Sequence, residues 1–192
     1  MTLRDVSTVR AGYPIRGEIT PARDGQVSIV QRRDVQPNQE IRLDKLDRIH
    51  LPGKRKPDYL KQGDILFVGR VDRHRQPFAV RIEQPPDRTV AAPQFFIIRV
   101  TAPTISSGYL TWYLNVMAQP FWAKHAVGTA ILNVPRSVLE TLPLILPPFD
   151  VQEKVARLHA ARRREKALIE TIEGKRQELL DAVLKQTIQR YS

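Results

Sequence analysis

The sequence of 192 residues contains no cysteine and no long apolar run. Without cysteine the chain can form neither a disulfide framework nor a thiolate metal site, and a reducing compartment is the simplest setting. The first ten residues lack the apolar core of a signal peptide, and no stretch approaches the ~20 apolar residues of a membrane span. We therefore expect a cytoplasmic protein that does not contact a membrane.

The motifs of common catalytic sites are also missing. A methyltransferase that acts on exocyclic amines places Asn or Asp before Pro-Pro-aromatic, whereas here Leu146 precedes Pro147-Pro148-Phe149. No glycine-rich loop of the kind that holds a nucleotide-type cofactor follows a strand. The four histidines have no paired metal-ligand spacing, and the loose nuclease-like patterns Pro57-Asp58 and Glu173-Gly174-Lys175 are short enough to arise by chance. We expect a non-catalytic chain with no metal and no cofactor of its own.

The net charge of the chain is strongly positive. Lys and Arg number 31 against 20 Asp and Glu, which gives a formal charge of +11 and a pI of about 10.3. Residues 1–150 carry 21 basic and 14 acidic residues and residues 151–192 carry 10 and 6, so the excess is not confined to a tail. Nucleic acid is the polyanionic partner that best fits this charge, while a ribosomal site or an anionic membrane surface would match the same number.

Short apolar runs between turn-forming residues predict a strand-rich body over residues 1–149. The runs with strand character are 27–30, 65–68, 78–82, 94–100 and 142–146. A helix is predicted over 106–124, because Ser106 and Ser107 can cap it and Pro120 would end or kink it. Its expected apolar face consists of Leu110, Tyr113, Leu114 and Met117. With a second short helix from about 135 to 141, the fold class is α+β.

The C-terminal segment, residues 150–192, is predicted to be one long spacer or dimerisation helix. Its helical pattern runs from about 152 to 189 and would span roughly 57 Å at ~1.5 Å per residue. Apolar side chains recur at steps of three and four residues. Those that we expect to face a partner are Val155, Leu158, Leu168, Ile169, Ile172, Leu179 and Val183. The length argues against the simpler alternative, a terminal helix that lies along its own domain.

Basic clusters occur in loops that follow predicted strands. Arginine can bind phosphate or guanine bidentately, and loops allow several arginines to converge on one groove of DNA. Charged loops are often merely solvated, but several clusters raise the odds that at least one binds. The candidate DNA-binding residues are Arg32, Arg33, Lys54, Arg55, Lys56, Arg70, Arg73, Arg75, Lys124 and Thr129. Arg73 and Arg75 are the candidates for reading bases, and Gly128 would allow close approach of backbone to phosphate.

The order of these segments resembles the specificity (HsdS-type) subunit of type I restriction-modification systems, with one target recognition domain and one spacer helix. Residues 60–66, LKQGDIL, are similar to the family's L-x-x-G-D-I-L, and residues 128–131, GTAI, to its G-T-x-I. Residues 142–155, LPLILPPFDVQEKV, are similar to I-P-L-P-P-L-x-E-Q-x-x-I, but Asp150-Val151 stands where Glu is usual before Gln152. The likeness covers nearly the whole chain.

This resemblance implies a non-catalytic subunit that reads double-stranded DNA and holds methyltransferase (modification) subunits. Adenine methylation with S-adenosylmethionine would be the work of those partners, and a restriction or translocase subunit could join them. Full-length members carry two recognition domains and two helices. This chain has one of each, which fits a half-subunit that homodimerises through its helix, a fragment, or a relative recruited to another modification or phage-defence system.

Two other classes of protein share some of these features. A basic RNA-binding protein would have the same charge but should prefer RNA. A helical adaptor would use the long helix alone and would not bind DNA tightly.

Overall fold

The computed structural model describes residues 1–15, 17–36, 38–51, 56–72 and 74–189. Five helices are present in these ranges: α1 (Leu3–Val6), α2 (Ser107–Asn115), α3 (Gln119–His125), α4 (Arg136–Glu140) and α5 (Phe149–Gln189). The nine strands are β1 (Ser7–Ala11), β2 (Val27–Val30), β3 (Asp47–Ile49), β4 (Ile65–Val68), β5 (Arg70–Asp72), β6 (Phe78–Arg81), β7 (Thr89–Ala91), β8 (Phe96–Val100) and β9 (Ile131–Asn133). The 3₁₀ helices are Arg32–Asp34 and Leu43–Lys45. The α+β prediction is confirmed.

An antiparallel four-stranded sheet in the order β1-β8-β4-β6 forms the middle layer of the body. Side chains of β4 alternate between its two faces, and all four are buried. Ile65 and Phe67 contact the helical layer, whereas Leu66 and Val68 contact the second sheet. A strand covered on both faces must be apolar at every position, which is why its sequence is the continuous run ILFV.

The helical layer covers one face of the middle sheet. Its centre is Trp122 of α3, whose ring lies 5.3 Å from that of Phe67. The indole nitrogen of Trp122 donates to the carbonyl of Leu114 at 3.2 Å, so burial leaves that donor satisfied. The opposite face of the middle sheet packs on a three-stranded sheet, β3-β2-β7, in which β2 and β7 run parallel.

Among the described residues, the long helix α5 contacts the body over about its first four turns, from Gln152 to Arg163. Gln152 is buried; its Oε1 accepts from the backbone of Ser106 at 3.0 Å, and its Nε2 donates to the carbonyls of Thr104 and Pro147 at 2.9 Å each. A Cβ at Gly108 would lie 2.9 Å from that of Ala156, so glycine lets α2 and α5 approach closely. Further along, Arg163 donates to the carbonyls of Asn38 and Gln39. Beyond Ala167 every described residue of α5 is exposed.

Two predictions about the body are wrong. Residues 142–146 are not a strand: Pro143 has no N–H, Leu142 donates back to the carbonyl of Leu139 in α4, and the segment makes a single bridge, from Pro143 to Thr2. The helix predicted over 106–124 is two helices, α2 and α3. Pro120 lies in the first turn of α3, where its missing N–H costs nothing, and Met117, in the break, is 45% exposed instead of core.

The other predicted elements agree with the structure. Strands cover 27–30 and 65–68 as expected, and β6 and β8 fall within the predicted 78–82 and 94–100. Ser106 caps α2, with its hydroxyl accepting from the backbone of Tyr109 at 3.4 Å. Of the described helices, none is both long and apolar enough to cross a membrane.

Candidate nucleic-acid interface

Several of the predicted DNA-binding residues come together at one edge of the body. Arg32 follows β2 and donates through Nη1 to the carbonyl of Arg70 on β5 at 3.0 Å. β5 in turn pairs with β9, so that Asp72 stands opposite Ile131. A shallow depression is therefore shared by the loop after β5 and the turn before β9. We call the exposed or half-exposed set Arg32, Arg70, His74, Arg75 and Thr129 the basic ridge.

The turn at one end of the basic ridge depends on Gly128. Its φ of 111° is unfavourable for residues with a Cβ, and a Cβ there would lie 2.1 Å from the carbonyl oxygen of Ile131. Val127 and Asn133 exchange backbone hydrogen bonds of 2.9 and 2.8 Å across this turn. The close approach that the sequence suggested at Gly128 is thus an approach to the chain's own backbone, and Thr129 is left exposed beside His74.

The charges of the ridge are largely uncompensated within the described residues. Arg32, Arg70 and Arg75 form no ion pair with any residue that the structure describes, while the exposed Asp72 lies beside the ridge. Arg33, by contrast, points elsewhere and pairs with Asp47, which also accepts from Gln31 at 2.9 Å. Unpaired guanidinium groups keep their capacity for phosphate or base, so Arg33 is the weaker candidate.

The remaining predicted residues lie apart from the ridge or cannot be placed. Lys54, Arg55 and Arg73 lie outside the described residues. Lys56 and Lys124 are exposed, Lys56 between β3 and β4 and Lys124 in the last turn of α3, and neither shares a described hydrogen bond or groove with the ridge.

A groove of about 690 Å³ runs beside the ridge, between the 3₁₀ helix Arg32–Asp34 and the loop before β6. Five side-chain amides line it: Gln36, Gln39, Gln76, Asn115 and Gln119. Two of these are engaged. Asn115 exchanges hydrogen bonds of 2.8 Å with the backbone of Ala79, and Gln119 donates to three carbonyls, including that of Pro77 at 3.1 Å. The side chains of Gln36, Gln39 and Gln76 have no hydrogen-bond partner among the described residues.

Sequence reasoning missed these amides, because nothing in the sequence separates an engaged glutamine from a free one. It also missed the role of the L-x-x-G-D-I-L segment. Asp64 is 1% exposed, accepts from the backbone of Lys61 at 2.8 Å and receives two bonds of 2.7 Å from Arg99. Arg99 reaches Asp58 as well, at 3.2 Å. This motif is a structural tie between β8 and the start of β4.

The Asp58 carboxylate is the second, more exposed partner of Arg99. Burial acts against its charged form, but hydrogen bonds from Arg10 at 2.6 Å and from Arg99 outweigh it, so the pKa of Asp58 lies below its ordinary value. Bonding to Asp64 raises the pKa of Arg99 further above its ordinary range. Both groups are therefore charged at neutral pH and are already paired with each other.

The apolar residues predicted to face a partner divide at the edge of the body. Val155 is half-buried against the helical layer of its own chain. Leu158 is 72% exposed, and Leu168, Ile169, Ile172, Leu179 and Val183 are between 49% and 66% exposed. Leu180, Leu184 and Ile188 extend the same exposed set. The helix passes through Gly174 without interruption.

Comparisons with known proteins extend these findings. No protein-family model and no curated protein matches the chain. A chain in a structure of a type I restriction-modification system matches it with a TM-score of 0.64 over 91% of this chain, at 14% identity. The HsdS subunit of Thermoanaerobacter tengcongensis matches with a TM-score of 0.57 over 88%, at 13% identity. The present chain spans 40% and 38% of the length of those two chains. It therefore has the fold of part of an HsdS subunit, as its motifs predicted.

Proposed function

We propose that this protein is the DNA sequence-recognition subunit of a type I restriction-modification complex. The observation that carries the proposal is the match of nearly the whole chain, 91% of it, to the fold of a chain from such a system. The basic ridge and its groove supply a surface of the right charge. The chain itself would be non-catalytic, and S-adenosylmethionine would be bound by a partner methyltransferase that modifies adenine.

Contacts to DNA would be made by the edge of the body that carries the ridge. Guanidinium groups there have no acidic partner among the described residues, so they can displace counterions from phosphates. Such contacts fix the position of the duplex but carry no sequence information, which must come from groups that reach base edges. Binding should therefore weaken steeply as salt rises, and duplex DNA should be preferred over RNA.

We further propose that two copies pair through α5. The exposed apolar residues of α5 beyond the body have no cover within the described part of the chain. Residues 164–189 project about 39 Å at ~1.5 Å per residue. A two-fold pair would hold identical bodies apart, so the target would be an inverted repeat interrupted by bases that the protein does not read. Methyltransferase subunits, and in a complete system a restriction or translocase subunit, would join this pair.

The test is to co-express the chain with its partner methyltransferase and to map the methylated adenines. We expect an interrupted inverted repeat. A deletion variant that lacks residues 170–176 provides the comparison. The deletion removes about two helical turns and nearly preserves the helix phase, so the gap between the half-sites should shorten while both half-sites stay the same. Methylation of an asymmetric or continuous site, with no second specificity chain present, would contradict pairing of identical copies. Tight binding that ignores salt, or a preference for RNA, would contradict the DNA-reading role.

A further inference from the structure

The groove beside the ridge contains polar groups that the fold does not use. Of its five amides, Asn115 and Gln119 join α2 and α3 to β6 and the loop before it. Gln36 and Gln76 have no such task, although both lie on the groove wall. Gln39 is a different case, because its carbonyl accepts from Arg163 and it also lines the cavity between body and α5.

The positions of the two free amides complement the cations near them. Gln76 is exposed and directly follows Arg75, while Gln36 lies two residues beyond the 3₁₀ helix that carries Arg32. All four side chains line the same groove. The cations suit phosphates, which are charged and outermost in a duplex. Neutral amides gain little from phosphate but present one donor and one acceptor side by side.

We propose that this groove reads base edges in the major groove of duplex DNA, with Gln36 and Gln76 as specificity-determining residues. The amide of glutamine matches the N6 donor and N7 acceptor of adenine, so each should select an A·T pair. Arg75, beside Gln76, can bind the phosphate or a neighbouring guanine. This inference rests on the proposed DNA-reading function and assigns that function to particular side chains.

The first experiment selects bound sequences from a randomised duplex pool with the full chain at low salt. The parent is compared with Gln36→Ala and Gln76→Ala. The matched control is Gln94→Ala, which changes an exposed glutamine outside the groove, between β7 and β8. Each groove variant should lose the preference for adenine at one position and retain the others, whereas the control should select the parent sequence. Thermal unfolding should be equal in all four proteins, since the removed groups bond to no described residue.

A second experiment identifies the atoms. Replacing adenine by 7-deazaadenine at the affected position removes N7, so parent binding should fall about tenfold, and binding by the alanine variant should not fall further. Gln76→Glu should shift the preference at its position from adenine to cytosine, whose N4 group only donates.

The outcomes separate the two proposals. Failure of the parent to bind duplex DNA, or binding without any sequence preference, would overturn both. A parent that selects a sequence which Gln36→Ala and Gln76→Ala also select would overturn the assignment of the groove and leave the DNA-reading function standing.

Discussion

The body and the projecting part of α5 differ in how they treat apolar side chains: the body buries them, and the helix exposes them. In the body, strand β4 is buried on both faces, and two apolar clusters lie on either side of one sheet. In α5 beyond Ala167, each described apolar side chain is about half exposed or more. The body completes its own core, whereas the helix has an apolar face that only another molecule can cover. Mutations in the two regions should therefore affect different measurements.

The largest effect is expected in the body, at Asp64. Asp64→Ala leaves Arg99 without its main partner, and breaking such a buried pair costs about 3–5 kcal/mol of unfolding free energy. Urea denaturation, monitored by tryptophan fluorescence, measures the difference in unfolding free energy between variant and parent. Asp150→Ala is the control, because it removes an exposed ion pair with Lys154 that contributes at most about 1 kcal/mol. Equal stability of the two variants would mean that Asp64 does not hold β4 to β8.

The next effect is on association through α5, as distinct from the stability of the body. Ile169→Asp with Ile172→Asp places two charges on the exposed apolar face, at a cost of several kcal/mol to association if both positions are buried in a pair. Light scattering should give a dimer for the parent and a monomer for the variant, with unchanged unfolding of the body. Thr171→Asp with Gln177→Asp adds the same charge away from that face and should stay dimeric. A parent that is monomeric at tens of micromolar would refute pairing through α5 alone.

A smaller effect is expected where the two regions meet. Gln152→Ala leaves three backbone groups without their partner, including the carbonyl of Thr104, which should cost about 2–3 kcal/mol. Stability of the body should fall. In the proposed pair of copies, the length of the gap between half-sites should also become less uniform, because the helix is held less firmly. Gln189→Ala, in the exposed last turn of α5, should change neither quantity. Retention of parental stability would show that the packing of α5 on α2 suffices.

The smallest effect is a pH dependence of the same junction. Burial, together with Arg163 and Arg162, lowers the pKa of His159 below its ordinary value. The unfolded chain therefore takes up this proton at a higher pH than the folded one. The contribution of neutral His159 to the stability of the fold is complete above its unfolded pKa, near 6.5. That contribution is lost as the pH falls through its folded pKa. Unfolding of the parent should become easier from about pH 8 to pH 5.5, and His159→Gln should reduce that slope. An unchanged slope would exclude His159 as its source.

The same comparison explains what sequence could predict. The strand β4 and the helix α5 have patterns that stand alone: ILFV is apolar throughout, and α5 repeats at three and four residues over 41 residues. Strands β3, β5, β7 and β9 have three residues each, so no period can develop in them. Their conformation comes from pairing with distant strands. Residues 142–146 carry the apolar pattern of a strand, but Pro143 interrupts their backbone donors and Leu142 donates to the preceding helix α4.

The site was less predictable for the same reason. The arginines were visible in the sequence, but their meeting depends on β5 pairing with β9, about 60 residues away along the chain. That pairing brings Thr129 to His74, whereas Arg33 turns toward Asp47. Likewise, Val155 belongs to the same periodic stripe as Ile169, and only the position of the body separates a covered residue from an uncovered one.

The hydrogen bonds from Arg163 have a mechanical consequence. Burial lowers the pKa of Arg163, against the opposing effect of Glu40 and Glu83, yet the group stays charged and bonds to two backbone carbonyls. Together with Gln152 it fixes α5 to the body at two points about 16 Å apart along the helix. The helix therefore cannot pivot about a single contact. A pivot of only 10° at a single support would move the tip, about 39 Å away, by roughly 7 Å, or about two base-pair steps. Because two contacts hold α5, the number of residues in the helix sets the distance between its tip and the body.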